Sequence, residues 1–215
     1  IDLTPAEGIT DFIDVTGNKF AWVALRRDGT AIGWHSQSGP FSRPGFKKIL
    51  GYNGLGGVQP MGISNAGNLV TLTTGEPVND IGNVTDAASS LYHGLALLED
   101  GTVKVWGAIY EGAVGRNAAF PRPPEPSLTE VAKVGVSRYN AWLVRRDGSF
   151  KGWGPGKIHE LPTELRGGMD LWGYAWGFFA STKRRDFYQW STFERSSARS
   201  IKDLPDQVRA GDEAV

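Results

Sequence analysis

Short apolar runs of three to five residues recur along the chain, each ended by a tight polar turn, followed by a few residues and then, in most copies, a tryptophan. The first copy reads Ala21-Trp22-Val23-Ala24-Leu25-Arg26-Arg27-Asp28-Gly29-Thr30-Ala31-Ile32-Gly33-Trp34. The cleanest is His93-Gly94-Leu95-Ala96-Leu97-Leu98-Glu99-Asp100-Gly101-Thr102-Val103-Lys104-Val105-Trp106, and a third runs from Ala141 through Asp147-Gly148 to Trp153. Two worn copies pass through Ala66-Gly67-Asn68 to Leu72 and through Lys183-Arg184-Arg185-Asp186 to Trp190. The equivalent positions Trp34, Leu72, Trp106, Trp153 and Trp190 are spaced 38, 34, 47 and 37 residues apart. Units of this length that cannot bury their own apolar face must stack on copies of themselves.

The elements inside each unit are strands. Thr102-Val103-Lys104-Val105-Trp106 alternates, with its two valines on one face and Lys104 on the other. Val23-Ala24-Leu25 and Leu95-Ala96-Leu97 are continuous instead, as expected of strands covered on both faces. Asp-Gly between two such runs predicts a two-residue hairpin with positive φ at both positions. The pattern therefore predicts an all-β propeller of five blades, each of about four antiparallel strands, in one domain over 1–215. The repeats fall at 9–45, 46–82, 83–129, 130–165 and 166–204, with 205–215 reading as a ring-closing strand or the start of a further repeat. Ile1-Asp2-Leu3-Thr4-Pro5 is similar to Ile201-Lys202-Asp203-Leu204-Pro205, which favours closure at five blades, because an open arc would expose hydrophobic faces and edges. The alternative is five repeats of a seven-bladed ring.

Ser89-Ser90-Leu91-Tyr92-His93-Gly94-Leu95-Ala96-Leu97, followed by Asp100-Gly101-Thr102-Val103 and Trp106-Gly107, resembles the regulator of chromosome condensation repeat family. The resemblance extends to bacterial β-lactamase-inhibiting propellers built from such repeats. It implies a propeller and, through the inhibitors, a protein-binding role; chromatin or exchange-factor work is what the chromosomal members imply. The repeat histidine survives only as His93, its place being taken by Ala21, Gln59, Asn140 and Gly177, so the fold is implied across the chain while no functional residue of the family carries over.

Composition narrows the function. The chain has 23 basic and 23 acidic residues, so no net field draws it to nucleic acid or to anionic lipid. It contains no cysteine, which excludes disulfides, and no apolar stretch approaches the roughly 20 residues that span a bilayer. The absence of Met and of a signal-like segment at Ile1 suggests a processed protein or an excised domain, and leaves the compartment, cytoplasmic or exported, open. His35, His93 and His159 fall at unrelated blade positions and form no metal cluster; His93 is expected to bond loop backbone. No nucleophile elbow or phosphate loop is present, and pairs such as Asp11 with Asp14 read as solvated turns. The reading is a protein that is not an enzyme, uses no metal or other cofactor, and works as a monomer.

One set of residues points to recognition. Phe20, Val58, Tyr92, Tyr139 and Trp176 stand one residue before the repeat's histidine position, four of the five aromatic, in the loop between the first two strands of each blade. Blades ranged around an axis would gather them at one end, with Lys19 and Arg138 beside them, a mixture of rigid rings and adaptable polar groups that suits a binding face. Trp34, Trp106, Trp153 and Trp190, recurring in register, are expected to pack between blades, and Trp142 to be core. The resulting expectation is a module that binds a protein partner through these loops. A lectin-like propeller binding carbohydrate is the alternative, with a glycosidase or an exchange-type regulator behind it.

Overall fold

The structure, a computed structural model, describes residues 2–18, 20–50, 52–53, 59–90, 93–107, 128–137, 140–153, 169–174, 177–182, 187–191 and 199–200. Among these there is no α-helix, and one 3₁₀ turn, Thr4–Ala6, precedes the first strand. Blade 1 comprises β1 (Phe12–Gly17), β2 (Ala21–Arg26), β3 (Ala31–His35) and β4 (Gly39–Arg43). Blade 2 has β5 (Phe46–Ile49), β6 (Tyr52–Asn53), β7 (Met61–Ser64) and β8 (Leu69–Thr71). Blade 3 has β9 (Val84–Ser90), β10 (His93–Leu98) and β11 (Val103–Gly107), and blade 4 has β12 (Val131–Val136), β13 (Ala141–Arg145) and β14 (Phe150–Trp153). Blade 5 has β15 (Met169–Tyr174), β16 (Gly177–Thr182), β17 (Phe187–Ser191) and β18 (Arg199–Ser200). The strands of each blade, β6 apart, run as an antiparallel meander, giving the five sheets of the propeller reading.

The expectation of four antiparallel strands per blade holds for blades 1 and 5. In blade 2, β6 leaves the meander and pairs in parallel with β9, Tyr52 opposite Ser89 and Asn53 opposite Ser90, so the fourth strand of blade 3's sheet is supplied by its neighbour. The first edge of blade 3 is thereby covered instead of being left unpaired.

The turns also differ from the two-residue form expected of Asp-Gly. Arg26 N–H donates to the Thr30 carbonyl and Gly29 N–H to the Arg26 carbonyl, so three residues form the loop, a type I turn followed by a glycine bulge. Positive φ is confined to the glycine: 82° at Gly29, 80° at Gly101, 82° at Gly148 and 79° at Gly67. The aspartate's task is to accept the backbone N–H two residues on, at 2.8 Å from Thr30 to Asp28, from Thr102 to Asp100 and from Ser149 to Asp147. Four turns are built alike, including the worn copy at Gly67, where Ser64 Oγ accepts from Asn68 N–H instead.

These turns also join the blades. The carbonyls of Gly29, Gly67 and Gly101 accept the N–H of Phe46, Val84 and Val131, the first strand residue of the next blade. The residue just before each of these donor strands, Gly45, Asn83 or Glu130, is itself left-handed. One residue into each strand a β-bulge follows, at Ile13, Lys47, Thr85 and Ala132.

Three apolar layers lie between blades. Val23, Leu25 and Ala31 of blade 1 pack on Phe46, Ile49 and Leu72; Ile63 and Leu69 of blade 2 on Val84, Ala87, Ala96 and Trp106; Leu95, Leu97 and Val103 of blade 3 on Val134, Leu143 and Trp153. The in-register tryptophans thus pack on the preceding blade, as does Leu72 where the tryptophan is lost. Trp34 is only half-buried, and the side chain of Trp190 lies outside the described residues. Trp142 is buried in the core, and Gly135 leaves room for its ring, since a Cβ there would stand 1.9 Å from it. Residues 201–215, on which the closure reading rests, lie outside the described residues.

Candidate functional site

The loops between the first and second strands of blades 1, 3, 4 and 5 lie at the end opposite the glycine turns, because the second strand runs from one to the other. The flanking residues fix how these loops are built. Asn18 N–H donates to the Ala21 carbonyl at 2.8 Å, and Asn18 Oδ1 accepts from Phe20 N–H (2.7 Å) and Ala21 N–H (3.1 Å). Ser137 N–H donates to the Asn140 carbonyl at 2.8 Å, with the Asn140 amide donating to Ser137 Oγ at 3.3 Å. Ser90 Oγ bonds the backbone of His93, and Tyr174 pairs with Gly177. Residues 18 and 21, 90 and 93, 137 and 140, and 174 and 177 thus close four loops with two residues in each, and the second of the two is the aromatic position read from the sequence.

Of the proposed contacts, Phe20 is described. It is half-buried, and its carbonyl accepts Ser36 N–H at 2.8 Å, which ties its loop to the β3–β4 turn at the same end. Lys19, Tyr92, Arg138, Tyr139 and Trp176 lie outside the described residues, as does Val58. The corresponding connection in blade 2 is longer, running from Leu50 to Pro60, and contains β6. Gln59, at the histidine position, accepts the Thr73 hydroxyl hydrogen bond. Nothing in the apolar pattern marks Tyr52-Asn53 as a strand; the length of that connection was the available signal.

Two histidines sit beneath this end and are not poised for chemistry. His93 is buried, with Ser90 Oγ 3.0 Å from Nδ1. Burial lowers its pKa to about 4, partly offset by a backbone hydrogen bond with Asn140 of the next blade. It is therefore neutral and structural, in line with the sequence reading. His35 is fully buried, its Nδ1 accepting from Gln37 N–H at 3.3 Å, and desolvation likewise lowers its pKa. Four carboxylates with lowered pKa values lie at the other end: Asp11 is held down by its bonds from Arg26 at 2.9 and 3.0 Å, and Asp28, Asp100 and Asp147 by the turn hydrogen bonds already described. Among the described residues no group of three His, Asp or Glu could hold a metal ion, and no helix is long and apolar enough to cross a membrane.

No protein-family model matches the sequence, and no curated protein matches it. Solved structures do. Prp20p from Saccharomyces cerevisiae, reported with its binding properties to Gsp1p and histones, superposes with a TM-score of 0.58 at 13% identity over 84% of this chain and 58% of its own. The CRINKLY WD40 ectodomain of the Arabidopsis thaliana receptor kinase ACR4 gives 0.58 at 16% identity, over 88% of this chain and 68% of its own. Human WBSCR16 gives 0.54 at 14%, over 84% and 61%. Prp20, described as yeast RCC1, has also been solved bound to Kap60. These likenesses show a β-propeller, and at such identities they show the fold alone. The chain spans less than two thirds of the length of the yeast structures it matches.

Proposed function

We propose that this propeller is a non-catalytic recognition module that binds a protein partner through the loops between the first and second strands of its blades, with Phe20, Tyr92, Tyr139 and Trp176 as anchors and Lys19 and Arg138 beside them. The observation that carries the reading is the shared construction of four loops at one end, each closed by a described pair (18/21, 90/93, 137/140, 174/177) around two residues. Short loops on paired strands hold their side chains with little entropy left to lose on binding, and aromatic anchors dominate protein interfaces. The protein-binding properties reported for the structural neighbour Prp20p lie in the same direction. The divergence of the loop residues between copies suits one composite surface better than repeated sugar pockets.

The test is crosslinked capture from an extract of the source cells, using the intact chain, the quadruple variant Phe20→Ala/Tyr92→Ala/Tyr139→Ala/Trp176→Ala, and an opposite-end control, Arg27→Ala/Arg146→Ala. A protein captured by the intact chain and the control and lost with the quadruple variant supports the reading, given unchanged circular dichroism. Capture that survives the quadruple variant, or that free sugars abolish, overturns it.

A further inference from the structure

Blade 1 presents to solvent a face that blades 2, 3 and 4 bury. Val15 pairs with Ala24 and occupies the register of Ile49, Ala87 and Val134. Those three are 2%, 6% and 6% exposed, each packed on the preceding blade, whereas Val15 is 65% exposed. Ile13, at the bulge position that holds Lys47, Thr85 and Ala132 elsewhere, is 54% exposed beside it, and Trp34 is half-buried where Leu72, Trp106 and Trp153 are buried.

Two features indicate what fits this face. The first is the repeated joint: a preceding blade offers a glycine carbonyl to the first strand N–H, which here belongs to Phe12. The second is charge. The residue of the first strand at one pairing level is Asp14, Lys48, Asp86, Lys133 and Asp170 in successive blades, set opposite Leu25, Ile63, Leu97, Val144 and Ser181. The signs alternate, and across one joint the pair is observed, Lys48 Nζ to Asp86 Oδ1 at 2.6 Å. Setting blade 5 against blade 1 would bring Asp170 next to Asp14 and break the alternation.

We propose that the exposed face of blade 1, formed by Ile13, Val15 and Trp34 around Asp14, is a docking surface for a further propeller blade that carries a basic residue in register with Asp14, and that it discriminates against the chain's own fifth blade. This goes beyond the loop-binding reading and uses a different face.

Because the chain has no cysteine, Val15→Cys gives a single reporter thiol. Its alkylation by iodoacetamide is compared in three backgrounds: Asp14 retained, Asp14→Asn and Asp14→Lys. With Asp14 the thiol reacts at the rate of an open one. With Asp14→Lys, which restores alternation against Asp170, it slows by about tenfold, the scale of exchanging a like for an opposite charge near a protein surface, with Asn between. Protection independent of protein concentration means the chain's own fifth blade has docked, and concentration-dependent protection means a second copy has; either supports the charge rule. A thiol already protected beside Asp14, or equal rates in all three backgrounds, overturns the proposal. Ile13→Cys is the second reporter should Val15→Cys fold poorly.

Discussion

Lowering the pH should weaken this fold through His93 before the depressed turn aspartates take part. The imidazole is buried and neutral, with a pKa near 4 against 6.5 for an exposed histidine. Between those values the unfolded chain binds a proton that the folded one refuses, so the stabilisation is fully present above about pH 6.5 and drains away as pH falls toward 4, where it levels off. A difference of about 2.5 pKa units corresponds to about 3 kcal/mol, most of it gone by about pH 4.5. That is a large part of the 5–15 kcal/mol that holds a typical domain. The depressed Asp11, Asp28, Asp100 and Asp147 act in another window, since their contributions are complete above the ordinary aspartate value of 3.8 and are lost only below it. Blade 4 supplies the control: Asn140 fills the same repeat position and bonds Ser137 much as His93 bonds Ser90. Urea denaturation followed by tryptophan fluorescence from about pH 7.5 to about pH 4.5 should show the native protein losing between 2 and 3 kcal/mol more than His93→Asn. His35 shifts in the same direction but is present in both proteins and cancels. Parallel stability curves for the two proteins would refute the assignment.

The repeat allows two further comparisons between like positions. Gly29→Ala places a Cβ 2.9 Å from the Phe46 carbonyl in a left-handed backbone, whereas Gly148→Ala has the same backbone and nothing within 4 Å. Chemical denaturation should show a loss of about 1 kcal/mol for Gly148→Ala and about 2 to 3 kcal/mol for Gly29→Ala, and equal losses would mean that the turn does not form a tight joint. Trp106→Ala, which empties a buried site between blades 2 and 3, should cost about 3 to 5 kcal/mol; Trp34→Ala, half-buried at the same register, should cost less than half of that in the same assay.

What could be read from the sequence was what local chemistry encodes. Asp-Gly announced three hairpins and the tryptophan spacing announced the blades, because an aspartate that accepts the backbone N–H two residues on and a glycine that takes positive φ act within five residues. The finer form of the turn escaped for an equally local reason: Leu25 pairs with Ala31, so Arg27 belongs to the loop and the aspartate needs no positive φ. The parallel pairing of Tyr52-Asn53 with Ser89-Ser90 joins residues 37 apart along the chain, and neither segment carries a pattern that names the other. The aromatic loop positions were legible as a register in the sequence; of the six proposed contact residues, Phe20 alone has a described surrounding.

The glycine turn carries more of this fold than the tryptophan that makes the repeat visible. Blade 2 has lost both the tryptophan, to Leu72, and the turn aspartate, to Ala66, yet keeps Gly67 at φ 79° with its carbonyl on Val84 N–H. An apolar layer tolerates the exchange of Trp for Leu because burial is non-directional and neighbouring side chains repack. A left-handed turn has no such latitude: any residue with a Cβ pays about 1 kcal/mol or more there, and the carbonyl that must reach the next blade is set by that same φ. Directional backbone contacts thus fix the order and spacing of the blades, and the hydrophobic layers fill the gaps so defined. On that reasoning, sequence drift in this molecule should erode its tryptophans before its turn glycines.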